Sequence, residues 1–167
     1  MNKEEVKALN DQYEKRSTNE LLEYFLSKYK NKIVFSSSMG IEDQVLTDMI
    51  VKIDSETPVI TLDTGRLFPE TYDLINKTAS RYKIKIKIVF PDTESVEKMV
   101  SEKGINLFYD SIENRKLCCL VRKIDPFQKA LKPYEYWISG LRKSQSVTRK
   151  AMQLIEWDDI NSMIKIN

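Results

Sequence analysis

The amino-acid sequence predicts an α/β fold: an open, mostly parallel sheet with helices on both faces. Three observations carry that reading. Short apolar runs of strand length alternate with longer amphipathic stretches, and serine- or glycine-bearing segments close the short runs. The 167 residues, 41% of them hydrophobic, suit one domain with a single core, so residues 1–167 are expected to form one unit.

The first thirty residues read as helical, with Leu21, Leu22, Phe25, Leu26 and Tyr29 at the three-and-four spacing of one apolar face. Ser17 or Thr18 supplies a cap, and Glu20 and Glu23 follow it. Ile33-Val34-Phe35 is a buried strand ending in Ser36-Ser37-Ser38-Met39-Gly40. Helical spacing resumes from Ile41 to Ile53, and Thr57-Pro58 breaks it before the strand Val59 to Leu62. Strand, helix and strand within about thirty residues is the size of a right-handed parallel crossover.

The pattern then repeats. Asp63-Thr64-Gly65 closes the second strand, Pro69 to Tyr82 is amphipathic, and Ile84 to Phe90 alternates like a strand with one wetter side, which places it near an edge. Thr93 to Lys103 is a helix stopped by Gly104, and the stretch onward to Lys116 reads as loop. Leu120 to Leu131 is helical despite Pro126, and Tyr134 to Ile138 is the next strand, closed by Ser139-Gly140. Beyond it, Met152 to Asn167 offers only Leu154-Ile155 and Met163-Ile164 as anchors.

Composition excludes several classes. Lys plus Arg at 27 against Asp plus Glu at 25 leaves a charge of +2, too balanced to imply a nucleic-acid partner. No apolar run reaches transmembrane length and the start lacks the apolar core of a signal peptide, so the cytoplasm is the expected compartment and no membrane partner is expected. Histidine is absent, which removes imidazole bases and histidine-containing zinc sites.

In an open parallel sheet the ligand crevice lies beyond the carboxyl ends of the strands. Three such ends are polar here. Ser36 to Gly40 places hydroxyls and loop amides before a helix, which makes either an anion cradle or a cap and turn. Asp63-Thr64-Gly65-Arg66 permits close backbone approach, with Arg66 either reaching into the crevice or lying on the surface. Ser139-Gly140-Leu141-Arg142-Lys143-Ser144, continuing to Arg149, is either an oxyanion-binding loop or a solvated basic one. Neither GxGxxG nor GxxxxGK is present. The two cysteines, Cys118 and Cys119, are adjacent and precede Arg122-Lys123. Adjacent thiols seldom bridge each other, which leaves a soft-metal ligand pair or two packing residues; nearby positive charge favours the thiolate that binds metal.

Jointly these segments resemble a known family. SSSMGIEDQVL at Ser36 to Leu46, TLDTGRLFPETY at Thr61 to Tyr72, CCLVRKIDP at Cys118 to Pro126 and WISGLRKSQSVTR at Trp137 to Arg149 look like the motifs of the assimilatory sulfonucleotide reductases. The vicinal cysteines with Arg122-Lys123 resemble the iron–sulfur branch, which reduces adenosine 5′-phosphosulfate. The resemblance implies a sheet of the adenine nucleotide alpha hydrolase type. It also implies that Ser36, Ser38 and Gly40 cradle the phosphosulfate, that the Leu62 backbone and the Asp63-Thr64-Gly65 turn hold the adenosine, and that Gly140, Leu141 and Arg142 flank base and ribose. Lys123 and Arg66 would offset the anionic charge, and Cys118 and Cys119 would be two of four thiolates on a [4Fe–4S] cluster. Thioredoxin is the implied reductant, adenosine 5′-phosphosulfate or AMP the implied ligand, and a homo-oligomer is compatible with both.

Two departures accompany the resemblance. Met39 stands where the family usually has phenylalanine, and Lys143 where it commonly has arginine. More consequentially, the family's Cys-x-x-Cys pair and its nucleophilic cysteine would lie beyond Arg149, and no cysteine follows Cys119. The expectation is therefore a reductase without its C-terminal part, with no catalytic residue assigned. The alternatives are a non-catalytic adenine-nucleotide-binding module and an ATP pyrophosphatase-type adenylating enzyme of the same fold.

Overall fold

A computed structural model describes residues 1–141 and 152–167. Two helices open it, α1 (Lys3–Tyr13) and α2 (Thr18–Lys28), where the sequence pattern reads as one helical stretch. The break has a local cause. Ser17 and Glu20 form a capping box, so a new helix starts there and the preceding residues turn. Then follow β1 (Ile33–Ser36), α3 (Ile41–Ile53), β2 (Val59–Leu62), α4 (Pro69–Tyr82), β3 (Ile86–Val89) and α5 (Thr93–Lys103), close to the sequence expectation.

The segment expected to be loop contains a 3-10 turn at Leu107–Tyr109 and α6 (Ile112–Cys119), capped by Ser111 accepting from the Asn114 N–H. α6 buries none of its residues, which is why no apolar period announces it. It runs through one π-helical turn, Leu120–Ile124, into α7 (Asp125–Leu131). In that turn the Asp125 N–H donates to the Leu120 carbonyl. The wider turn shifts the bonding register just before Pro126, whose ring would clash with a carbonyl in a continuous α-helix.

β4 (Tyr136–Ser139), β5 (Ile155–Asp158) and β6 (Met163–Ile166) complete a six-stranded sheet of order β3-β2-β1-β4-β6-β5. All neighbours are parallel except β5 and β6, which form an antiparallel hairpin with β5 at the edge. The hairpin corrects the sequence reading, which found only apolar anchors there. Its strands are four residues each, too short for alternation to stand out. β3 is the other edge, as its wet side predicts.

Alternate residues of β1 enter two cores. Ile33 and Phe35 pack with Leu22 and Phe25 of α2 and Ile50 of α3, while Val34 packs with Ile60, Ala130 and Leu131. Burying each large side chain contributes about 1.5–3 kcal/mol, so the sheet is held by helices from both sides. Asn10 of α1 clamps β5, donating to the Ile155 carbonyl at 2.7 Å and accepting its N–H at 3.1 Å. No helix among the described residues is long and apolar enough to cross a membrane.

Candidate active site

The sheet order fixes where a site can form. From β1 the chain proceeds to β2 and β3 on one side and returns to pair β4 on the other, so the strand order reverses at β1–β4. A crevice opens beyond the carboxyl ends of strands at such a switch point. A cleft of about 650 Å³ lies there. Ser36, Ser38, Leu62, Thr64, Lys123, Gly140 and Leu141 line it, seven residues that the sequence singles out from four separate segments. Ile60, Leu67, Phe127 and Trp137 add an apolar wall suited to a heterocyclic base.

The serine loop is built inward. Ser36 Oγ accepts from Trp137 Nε1 at 2.6 Å, tying β1 to β4. Met39 adopts a left-handed backbone with φ 65°, steadied by its N–H donating to Ser37 Oγ. Ser38 donates from both its backbone N–H and its Oγ, the latter at 2.6 Å, to one carboxylate oxygen of Asp43 in the first turn of α3. Burial pushes the Asp43 carboxyl up from the ordinary carboxylate range, and the two Ser38 hydrogen bonds oppose that. Asp43 also explains Gly140, because a Cβ there would fall inside the carboxylate, with Asp43 Cγ only 2.9 Å away. Gly40 is the N-cap residue of α3 and does not line the cleft.

The turn after β2 is equally tied. Asp63 is buried, accepts from the Gly65 N–H at 2.7 Å and from Tyr72 Oη at 3.1 Å, and so shapes the turn rather than facing a ligand. The same bond raises the Tyr72 pKa. Gly65 has φ 70°. Arg66 departs from the role expected of it. Its guanidinium donates to the Ile105 carbonyl and Asn106 Oδ1 and lies over the Phe108 ring at 4.7 Å, outside the cleft lining. Arg142, with Lys143 to Arg149, lies outside the described residues.

Cys118, half-buried, and Cys119, exposed, end α6 with free thiols. Lys123 reaches the cleft from the π-helical turn that follows, but neither cysteine lines it. Four thiolates hold a [4Fe–4S] cluster, and this chain has two cysteines and no histidine. Among the described residues no third acidic, thiol or imidazole group joins them. The residues of this chain alone therefore do not fit such a cluster.

Two residues at the site escape sequence reasoning. Asp43 reads as an ordinary acid in a first helical turn, and its contact with Gly140 exists only once β1 and β4 are neighbours. Arg122 reads as a charge beside the thiols, yet it is buried and donates to the Thr64 carbonyl at 2.7 Å.

Comparison with known proteins agrees with the fold. Residues 32–167 match the family described as the phosphoadenosine phosphosulfate reductase domain. The chain is 42% identical over 163 residues, 98% of its length and 64% of the relative's, to an adenosine 5′-phosphosulfate reductase of Sinorhizobium fredii. It superimposes on the crystal structure of a phosphoadenylyl-sulfate reductase from Candida auris in complex with phosphate, with TM-score 0.84 and 30% identity, covering 100% of this chain and 79% of that one. Yeast FAD synthetase, 15% identical with TM-score 0.52 over 98% of this chain and 59% of its own, shares the fold alone. The chain spans about half to two thirds of the length of the curated relatives it matches.

Proposed function

Because the chain belongs to the phosphoadenosine phosphosulfate reductase domain family, we propose that its cleft binds adenosine 5′-phosphosulfate and its product AMP, as the substrate module of a thioredoxin-dependent reductase in sulfate assimilation. One observation carries the proposal: the three polar strand ends and Lys123 line a single cleft at the switch point of the sheet. The phosphate in the Candida auris complex supports the anionic end of this reading. Names of relatives at 42–43% identity, all adenosine 5′-phosphosulfate reductases, favour the nucleotide without a 3′-phosphate, as does the vicinal cysteine motif.

In this reading the base packs on Phe127, Trp137 and Leu141, and the Leu62 backbone with the Asp63–Gly65 turn holds the adenosine. Ser36 and Ser38 meet the phosphosulfate, and Gly140 and Leu141 flank the ribose. Lys123 supplies a charge-assisted contact worth about 1.5–3 kcal/mol. In the reductase reaction a thiolate attacks the sulfate sulfur, the sulfur–oxygen bond to AMP breaks, and thiol exchange with reduced thioredoxin then releases sulfite. Cys118 and Cys119 are proposed as two ligands of the family's [4Fe–4S] cluster, which leaves the attacking thiol to polypeptide other than this chain. A second reading, nucleotide binding without sulfite release by this chain alone, is favoured by its two-thiol inventory.

Calorimetric titration tests the site. AMP and adenosine 5′-phosphosulfate are expected to bind, with Lys123→Ala weakening both by about 10- to 100-fold, and the 3′-phosphorylated nucleotide is expected to bind more weakly. Absence of heat at millimolar AMP would remove the proposal. Tighter binding of the 3′-phosphorylated form would move it to the other branch of the family.

A further inference from the structure

We infer that Arg122 is a positioning residue that couples the cysteine-bearing end of α6 to the Asp63–Gly65 turn at the cleft. Arg122 is only 8% exposed, and its Nη1 donates to the Thr64 carbonyl at 2.7 Å. Its Nε is buried without a hydrogen-bond partner, and among the described residues it joins no ion pair. A buried guanidinium held, among the described residues, by a neutral carbonyl alone costs stability that a well-packed apolar residue would not, so packing alone does not account for it. What the arrangement achieves is a mechanical link between two segments distant in sequence.

The link is direct at each end. Arg122 sits in the π-helical turn, three residues beyond Cys119, and the widened turn sends Arg122 inward while its neighbour Lys123 stays exposed and lines the cleft. At the other end the guanidinium is packed against Gly65, where a Cβ would stand 3.1 Å from Nη1 on a backbone of φ 70°. Thr64, whose carbonyl it holds, lines the cleft. A displacement of the Thr64 carbonyl is therefore felt by Arg122, by the π-helical turn and by the thiols preceding it. Coupling of this kind travels through a contiguous hydrogen-bonded path, and a double-substitution cycle measures it.

Hydrogen exchange of the full chain without nucleotide reads the link on its own. Arg122→Gln is expected to speed exchange about tenfold or more at both residues 63–66 and 118–124 while leaving β1 and β4 unchanged. Arg122→Lys, which keeps a donor on a long stem, is expected to bring both segments back to within about threefold of the native rates, and it serves should the Gln variant not fold. Gly65→Ala is expected to speed the same two segments, and to do so less in the Arg122→Gln background than in the native chain, where the added Cβ also meets the guanidinium. Loosening of one segment alone, recovery of one alone in the Lys variant, or additive effects would overturn the coupling.

A second measurement rests on the nucleotide reading of the cleft. AMP is expected to slow alkylation of Cys119 several-fold in the native chain but not in Arg122→Gln at saturating AMP. Slowing that persists in the variant would overturn the role assigned to Arg122. Failure of AMP to bind the native chain would strike the nucleotide reading instead, and the exchange result would still decide the coupling.

Discussion

Two buried ionisable groups border the site, Asp43 in the lining of the cleft and Arg122 on the carbonyl of the lining residue Thr64, and each is held without a counter-ion among the described residues. On the α3 side the Asp43 carboxylate is held by the amide and hydroxyl of Ser38, and on the π-turn side the Arg122 guanidinium is held by the carbonyl of Thr64. The carboxylate has two donors on one oxygen and a glycine fitted against the other, whereas the guanidinium keeps an unpartnered Nε. The contrast separates a closed contact from a loaded one. Asp43 holds the serine loop after β1 to the first turn of α3 and packs against Gly140 beyond β4; Arg122 joins the π-helical turn to the turn after β2 and transmits between them.

The largest expected effect breaks the Asp43 side. Gly140→Ala forces a Cβ into the carboxylate and is expected to cost about 2–3 kcal/mol in urea unfolding and to abolish AMP binding, with Asp43→Gly in the same chain recovering part of the stability. Full stability in the single variant would show that Asp43 swings away freely. Gly65→Ala acts on the Arg122 side. The left-handed φ and the nearby guanidinium give it an expected cost of about 1–2 kcal/mol, and a smaller loss of AMP affinity than at Gly140.

A pH titration sharpens the comparison, since burial raises the pKa of the Asp43 carboxyl above its ordinary value. The folded pKa of Asp43 is raised, so the native state holds its proton to higher pH than the unfolded chain does. Its contribution is fully favourable below the ordinary carboxylate pKa and is lost as pH rises through the raised value. Asp43→Asn is therefore expected to remove that fall from the stability-versus-pH curve. Identical curves for the two proteins would show that the carboxylate is not desolvated in solution. The smallest effect is expected at Cys119→Ser, an exposed site beyond both contacts, at about 0.5 kcal/mol or less. The native chain should be colourless or carry only a labile cluster after anaerobic reconstitution, with Cys119 alkylated faster than Cys118 in intact-mass analysis. A stable brown protein would mean that a second copy supplies the missing thiolates.

The sequence made the strand ends legible because serine and glycine at the close of an apolar run mark loops that approach ligands, and Ser36, Ser38, Leu62, Thr64, Gly140 and Leu141 do line the cleft. The crossovers were legible for the same reason that α3 and α4 match their predicted bounds: long periodic stretches bounded by proline, glycine and polar turns. What escaped was whatever depends on partners. α6 has no buried face to set a period, and β5 and β6 are stabilised by pairing with each other and with β4. The family resemblance implies an anion for Arg66, while its place after a strand end leaves it equally a surface residue, and it lies on Phe108, the Ile105 carbonyl and Asn106. Asp43 and Arg122 were in plain view as charges, but burial and partnership are properties of the folded chain.

The hairpin also has a practical use. Because β6 runs parallel to β4, Asn167 arrives on the same side of the sheet as the cleft, and its side chain accepts from Ser139 Oγ, a residue of the cleft wall, at 3.0 Å. A dye attached there through an Asn167→Cys substitution would sit beside the cleft wall and report nucleotide occupancy by quenching.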